Sequence, residues 1–258
     1  MPSYQQILFQ SDGLVATITL NRPDRLNAWT PVMEAEVASA ISSSEESTSI
    51  RAIVITGSGR GFCSGADLIR IGAVFDAPAP ALPGPDRFQF LWNCKKLLVA
   101  AINGPAAGVG LSVALHCDLR YIAEDASVTT AFARRGLIAE HGSAWLLPRL
   151  IGLQNATDLL VSARKVGAAE VAQMGLARVL PSEGFLTRVE TLTAELVKDS
   201  SPRSVRIIRQ QLRLALCQDY AAAQILAHTE QVESFRSADF REGVSAFRER
   251  RPAMFPEE

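Results

Sequence analysis

The sequence reads as an α/β core followed by a helical C-terminal part, on three grounds. Two alternating apolar runs, about 4–10 and 14–20, flank Asp12–Gly13, a dipeptide suited to a tight hairpin turn. Strand-like runs then alternate with helical ones: RAIVIT (51–56), KLLVAAING ending at Asn103–Gly104, and DLRYIAE after a helix at 110–116. Such alternation points to a sheet with right-handed crossovers. From about 143 onward the chain reads helical almost throughout, with Val205, Ile208, Leu212 and Leu216 at helical spacing and Ile225, Val232 and Phe235 more loosely so.

The remaining elements follow in order. Thr30–Pro31 predicts a capped helix reaching into the Ser-rich stretch 42–49, because Thr accepts from a free N–H and Pro suits a first turn. RAIVIT is apolar on both faces and β-branched, the pattern of a strand covered on both sides. A short helix capped by Asp67 is expected after the glycine-rich loop that follows. DAPAPALPGPD (76–86) is punctuated by Pro and Gly and reads as a flap, with a helix at about 86–96 behind it. No internal repeat has a solenoid period.

The chain has 258 residues, with 26 Lys and Arg against 27 Asp and Glu, a formal charge of −1. That balance argues against nucleic acid or a membrane surface as the main partner. No run reaches the length of a membrane span, and the polar start MPSYQQ lacks the shape of a signal peptide. Cys63, Cys94, Cys117 and Cys217 are scattered, with no CxxC and no ligand spacing to the histidines. A reduced, cytoplasmic protein without structural zinc or any bound metal is expected.

Two glycine-rich segments carry the chemistry. TGSGRGFCSGADL (56–68) fails as a dinucleotide loop: after Gly57 and Gly59 the third glycine is due at 62, which is Phe62, and no GK[ST] follows. NGPAAGVGLSVAL (103–115) also follows a strand and opens a helix, without a lysine. Both can bring backbone N–H groups to helix N-termini, where unpaired donors and the helix dipole favour negative charge. Two such donors converging would make an oxyanion hole. Equally, Gly65, Gly108 and Gly110 could serve only tight turns and close packing.

Taken jointly, NRPDRLNAW (21–29), VITGSGRGFCSGADL (54–68), AINGPAAGVGLSVALHCDLRYIAE (101–124), LPRLIG (147–152) and DFREGVSAFRERR (239–251) resemble the crotonase superfamily, the enoyl-CoA hydratase/isomerase family, over nearly the full length. The resemblance implies a crotonase-like spiral of ββα units over 1–195 and a helical region over 196–258 that packs on the core and across a homotrimer or dimer of trimers. It implies an acyl-CoA thioester as partner, with CoA entering as part of the substrate and no other cofactor. The N–H groups of Ala66 and Val109 would polarise the thioester carbonyl, which requires β-branched Val109 to keep a negative φ. Arg25, Ala28, Ser64, Asp67, Leu68 and Ile69 would line the CoA site. Phe247 with Arg250 or Arg251 would either approach it or form a solvated helix face.

Hydratases of this family use two glutamates, and the matching positions here are Ser112 and Phe132, neither able to do acid–base work, so both are expected to line the substrate site instead. Ser112 either hydrogen-bonds substrate or water, or simply packs. Glu140, in GLIAEHG, falls where related dienoyl-CoA isomerases carry a catalytic aspartate. Flanked by Leu137, Ile138 and Trp145 it would be desolvated and tuned for proton transfer. Alternatively Arg134 and Arg135 would hold it in a structural salt bridge. His141 is the second candidate acid or base. His116 reads as a core histidine, His228 as facing the trimer or solvent, Cys63 as packing and Asp118 as a turn or capping acid. The expected activity is proton transfer through a thioester enolate (isomerisation) or water addition. The alternatives are thioester or β-diketone hydrolysis through His141 and Glu140, and an acyl-CoA-binding relic without turnover.

Overall fold

A computed structural model describes residues 3–67 and 84–255. Strands β1 (Ile7–Asp12) and β2 (Val15–Leu20) form the expected antiparallel hairpin around Asp12–Gly13. Gly13 takes φ +56°, as a tight turn demands. Helix α1 (Pro31–Glu46) starts where expected, with Thr30 Oγ1 accepting from Met33 N–H and Pro31 in the first turn.

β3 (Ala52–Gly57), β4 (Leu97–Ile102), β6 (Leu119–Ala123) and β9 (Arg178–Leu180) extend the hairpin into a six-stranded sheet of order β1-β2-β3-β4-β6-β9. Every pairing from β2 onward is parallel. All six residues of β3 are buried, as an apolar run covered on both faces should be. A second sheet joins β5 (Ala106–Ala107), β7 (Ser127–Thr129) and β8 (Val166–Gly167).

The helices are α2 (Gln89–Trp92), α3 (Val109–His116), α4 (Ser143–Ser162), α5 (Ala168–Gln173), α6 (Phe185–Lys198), α7 (Pro202–Ala215), α8 (Tyr220–Arg236) and α9 (Ala238–Glu249). α4 contains Pro148 and is interrupted at Gly152, which sits at φ 76°, ψ 160°. None of the helices among the described residues is long and apolar enough to cross a membrane.

Two expectations change. The helix at 86–96 contracts to the single turn α2, and residues 93–96 turn toward β4 instead. The region after 143 is not wholly helical, because β8 and β9 interrupt it and β9 completes the main sheet. Three-residue β9 is too short for its period to stand out among helical neighbours. The apolar stripe of α7 does not enter the core: Ile208, Leu212 and Leu216 are exposed, while Ile207 and Arg209 are buried. The helix expected after Asp67 and residues 76–83 of the flap lie outside the described residues.

Asp118 is more than a turn residue. It accepts from Leu98 N–H at 2.8 Å and pairs with Arg209 at 2.6 Å and Arg213 at 2.9 Å, and Arg209 also donates to the Cys94 carbonyl. α7 is thereby fixed to the N-terminal ends of β4 and β6. α6 runs through residue 195, and its buried Phe185, Val189, Thr193 and Val197 pack it on the sheet.

Candidate active site

Parallel strands leave their connecting loops at the carboxyl edge of the sheet, where ligands bind in open α/β sheets. The loops after β3 and β4 meet there. Asn103 donates to the Gly57 and Gly59 carbonyls and accepts from Gly57 N–H, so the two strand ends are cross-linked. Cys63 and Ala106 then pair as an isolated parallel bridge, with Ala107 N–H donating to the Cys63 carbonyl at 2.9 Å. Helix α3 starts hard against this bridge: a Cβ on Gly110 would lie 2.3 Å from the Cys63 carbonyl oxygen. At this position glycine is demanded by close approach.

The two expected donors lie at this junction. Ala66 forms a parallel bridge with Trp29, in which Trp29 N–H donates to the Gly65 carbonyl and Asp67 N–H donates to the Trp29 carbonyl. That pattern turns Ala66 N–H away from Trp29, with no backbone acceptor among the described residues. Val109 opens α3, where the first N–H groups have no partner within the helix. Gly108 takes the positive φ (+50°) and Val109 does not, so the requirement on the β-branched residue is met. Gly65, at φ +102°, brings the loops close enough that its missing Cβ would lie 4.0 Å from Val109 N.

The loop expected to hold CoA is bound to the same frame. Buried Asn27, at φ +56°, accepts from Arg22 N–H and donates to the Ser58 and Gly61 carbonyls. Ser64 Oγ donates to the Arg25 carbonyl, Arg22 donates to the Ala28 carbonyl, and Arg22 pairs with Asp67 at 3.0 Å. Arg25, Ala28, Ser64 and Asp67 are therefore brought together. Leu68 and Ile69 lie outside the described residues. Phe247 is 86% exposed, Arg251 pairs with Glu242 and Glu249, and Arg250 caps α9, so none of the three reaches these loops within the chain.

Beside the junction lies a cavity of about 580 Å³. Arg87, Phe88, Trp92, His116, His141 and Trp145 form much of its wall, and Glu140 is its one carboxylate among the described residues. Two links tie it to the donor loops. Phe88 packs edge-on against Trp29, the bridge partner of Ala66, and Ser112 Oγ of α3 lies 3.3 Å from Ser143 Oγ at the start of α4. Ser112 is buried and also donates to the Gly108 carbonyl; Phe132 is buried and is not part of the cavity wall.

The expected surroundings of Glu140 are corrected in two ways. Leu137 and Ile138 point outward, Ile138 being 79% exposed, so they do not desolvate it; its side chain remains 35% exposed. No pair with Arg134 or Arg135 forms, since Arg134 donates to the Ser162 carbonyl and the nearest cationic candidate is His141 Nε2 at 3.7 Å. His141 sits at φ +53° with its ring edge-on to Phe88 and Nε2 3.5 Å from Arg87 Nη1. Burial, with the charge of Arg87 and the proximity of His116, pushes its pKa down to about 4, so it is a neutral imidazole at pH 7. Arg87 is aimed by Glu34, which accepts from its Nε at 2.7 Å and from Trp29 Nε1 at 2.7 Å.

His116 is not a satisfied core histidine. Its Nδ1 lies 2.7 Å from the Ser112 carbonyl, but the residue lines the cavity. His228 is exposed. Cys63 is fully buried and its thiol is pushed up to about 12 by burial, which suits packing and not nucleophilic attack. Glu34, Arg87 and Phe88 were not singled out from the sequence, and Arg22, Asn27 and Trp29 entered only as part of NRPDRLNAW, without individual roles. Nothing in their spacing marks them, because each acts through a partner distant in the chain.

Comparison with known proteins agrees with this geometry. The family model for enoyl-CoA hydratase/isomerase matches residues 10–258. A protein named as a probable enoyl-CoA hydratase from Rhodobacter capsulatus is 35% identical over 261 residues, covering 98% of each chain. The 1,2-epoxyphenylacetyl-CoA isomerase of Escherichia coli is 34% identical over 256 residues, covering 96% of this chain and 97% of its own. The crystal structure of an enoyl-CoA hydratase from Polaromonas sp. superposes with a TM-score of 0.91 at 26% identity, covering 97% and 99% of the two chains. With paired donor loops at the sheet edge and a match of this extent, the chain belongs to the enoyl-CoA hydratase/isomerase family of the crotonase superfamily.

Proposed function

We propose that the protein isomerises an acyl-CoA by moving a proton through a thioester enolate, with Glu140 as the acid/base. The observation that carries this reading is that Glu140 is the one carboxylate on the cavity wall among the described residues, on a loop joined through Ser143 to helix α3. The thioester oxygen binds between Ala66 N–H and Val109 N–H, where developing negative charge meets fixed donors and a helix N-terminus. Glu140 then takes a proton from one carbon and returns it to another. A single carboxylate suffices for that shuttle, whereas addition of water usually divides the work between an acid and a base.

His141 serves as a positioning residue. Neutral and held by Phe88, it has Nε2 3.5 Å from Arg87 Nη1 and 3.7 Å from Glu140 Oε2, within reach of both charged groups. Arg25, Ala28, Ser64 and Asp67 hold the CoA side. The exposed apolar side chains of α7 and α8, among them Ile208, Leu212 and Ile225, are assigned to contacts between copies of the chain in a trimer.

The test is α-carbon exchange in deuterated water with crotonyl-, 3-enoyl-, dienoyl- and aryl-substituted CoA thioesters, followed by mass. Glu140→Gln should lower exchange and isomerisation by about 10²–10⁴-fold while leaving thioester binding intact. Exchange that survives the substitution would move the chemistry elsewhere, and binding without turnover of any thioester by the unaltered protein would favour a non-catalytic role.

A further inference from the structure

We infer that the cavity selects a flat aryl-bearing acyl group with a hydroxyl at its far end, and that His116 Nε2 is the acceptor that reads this hydroxyl. The inference rests on the proposed placement of the thioester at Ala66 and Val109.

Three observations carry it. The first is the lining. Trp92 meets Trp145 at 5.8 Å between ring centroids and 78°, and meets His116 at 6.5 Å and 83°. Phe88 stands 5.5 Å from His116 and 5.0 Å from His141. Rings set edge to face present π faces and edges at right angles, a wall that suits another ring in stacked or edge-on contact.

The second is the hydrogen-bonding state of His116. A carbonyl oxygen can only accept, so the 2.7 Å contact with the Ser112 carbonyl places the imidazole proton on Nδ1. Nε2 is then left as a lone-pair acceptor on the ring edge away from the helix backbone, with no hydrogen-bond partner among the described residues. Burial, and next the charge of Arg213, keeps this histidine neutral by holding its pKa below the ordinary value, the Ser112 contact opposing them. Arg213 does not meet this acceptor: its guanidinium lies over Trp92 and donates to Asp118, and no hydrogen bond joins it to His116. Of the other polar groups on the wall, Gln89 is exposed, Arg87 is held by Glu34 and faces His141, and Glu140 is assigned to the proton transfer.

The third is distance along α3. Val109, Ser112 and His116 fall at i, i+3 and i+7 on one helix face. Seven residues of helix span about 10 Å. In a 4-arylbut-3-enoyl thioester, about 9 Å separates the carbonyl carbon from a para oxygen by ordinary bond lengths. A carbonyl held in front of the N-terminus of α3 therefore brings a para-hydroxyl within reach of the His116 ring, which leans back over the preceding turn to the Ser112 carbonyl. A straight chain could enter the same space but would leave Nε2 without a donor, and an unmet buried acceptor opposes binding.

The experiment compares three thioesters on the full-length protein by deuterium uptake at the α carbon: 4-(4-hydroxyphenyl)but-3-enoyl-CoA, 4-phenylbut-3-enoyl-CoA and 3-hexenoyl-CoA. The expected order of kcat/KM follows that list, with the hydroxyl contributing about tenfold over the plain phenyl. In His116→Phe the ratio of hydroxyphenyl to phenyl should fall to about one, and His116→Gln, which keeps an acceptor, should restore part of it. The ratio is read within each variant, so a general loss of activity does not mimic the effect. Exchange of 3-hexenoyl-CoA without preference for either aryl thioester, or a hydroxyl preference that persists in His116→Phe, overturns this inference alone. If none of the three thioesters exchanges, the proposed function fails and the inference with it.

Discussion

Gly110→Ala tests whether the donor junction depends on close backbone approach. In an ordinary helix this change stabilises by about 1 kcal/mol, because alanine is the better helix former. Here the new methyl would lie 2.3 Å from the Cys63 carbonyl oxygen and 2.7 Å from Cys63 Cβ. Cys63 cannot yield cheaply, since its N–H donates to the Pro105 carbonyl, its carbonyl accepts from Ala107, and its side chain is wholly buried. Overpacking of this kind costs about 1–3 kcal/mol or more, so the clash outweighs the helix gain and a net loss of about 2 kcal/mol is expected. For a chain of this size that corresponds to a fall in Tm of about 4–8 °C. The strain is relieved by parting the loops that carry Ala66 and Val109. Losing one such donor costs about 10²–10³-fold in kcat. Thermal unfolding and α-carbon exchange report the two effects separately. A Gly110→Ala protein as stable and as active as its parent would refute the argument. Gly136→Ala is the control, because that residue has no atom within 4 Å of the added Cβ and changes only backbone strain at φ +68°.

Asp118→Ala leaves the largely buried guanidinium of Arg209 without its carboxylate, and a loss of about 3–5 kcal/mol in urea unfolding is expected; a change below about 1 kcal/mol would mean that α7 is anchored by other contacts. His141 should remain neutral down to about pH 4 in the folded protein when its ring signals are followed by NMR, and an ordinary titration near 6.5 would remove the basis for its role beside Glu140. Because its folded pKa lies below the unfolded value, the unfolded chain binds more protons between about pH 4 and 6.5, so stability falls as pH drops through that window. His141→Gln should flatten this slope in acid unfolding curves; part of the remainder comes from His116, whose pKa is shifted in the same direction, and part, toward pH 4, from carboxylates such as Glu242 that Arg251 holds below their ordinary pKa.

Much of the frame was legible from local chemistry. Asp12–Gly13 between alternating runs specifies a hairpin, Thr30–Pro31 specifies a helix start, and the uniformly apolar β3 specifies a strand buried on both faces, because each signal is contained within a few residues. Order along the chain also placed the two glycine-rich loops after strands, and parallel strands then oblige both loops to leave by the same edge. Local chemistry is therefore enough for the hairpin, the first helix, the buried strand, the family and the place of the two glycine-rich loops. The composition of the cavity was decided only in tertiary structure. Phe88, Phe90 and Trp92 read only as part of a helix at about 86–96, yet two of them meet Trp145, His116 and His141 from other elements. Glu140 has Leu137, Ile138 and two arginines as sequence neighbours, but the left-handed turn at His141 directs it toward the cavity while those neighbours face outward. Nearness in sequence fixes covalent order alone; the protonation of His141 and the hydrogen bonding of His116 depend on what the fold sets against them, Arg87 and Phe88 among those partners.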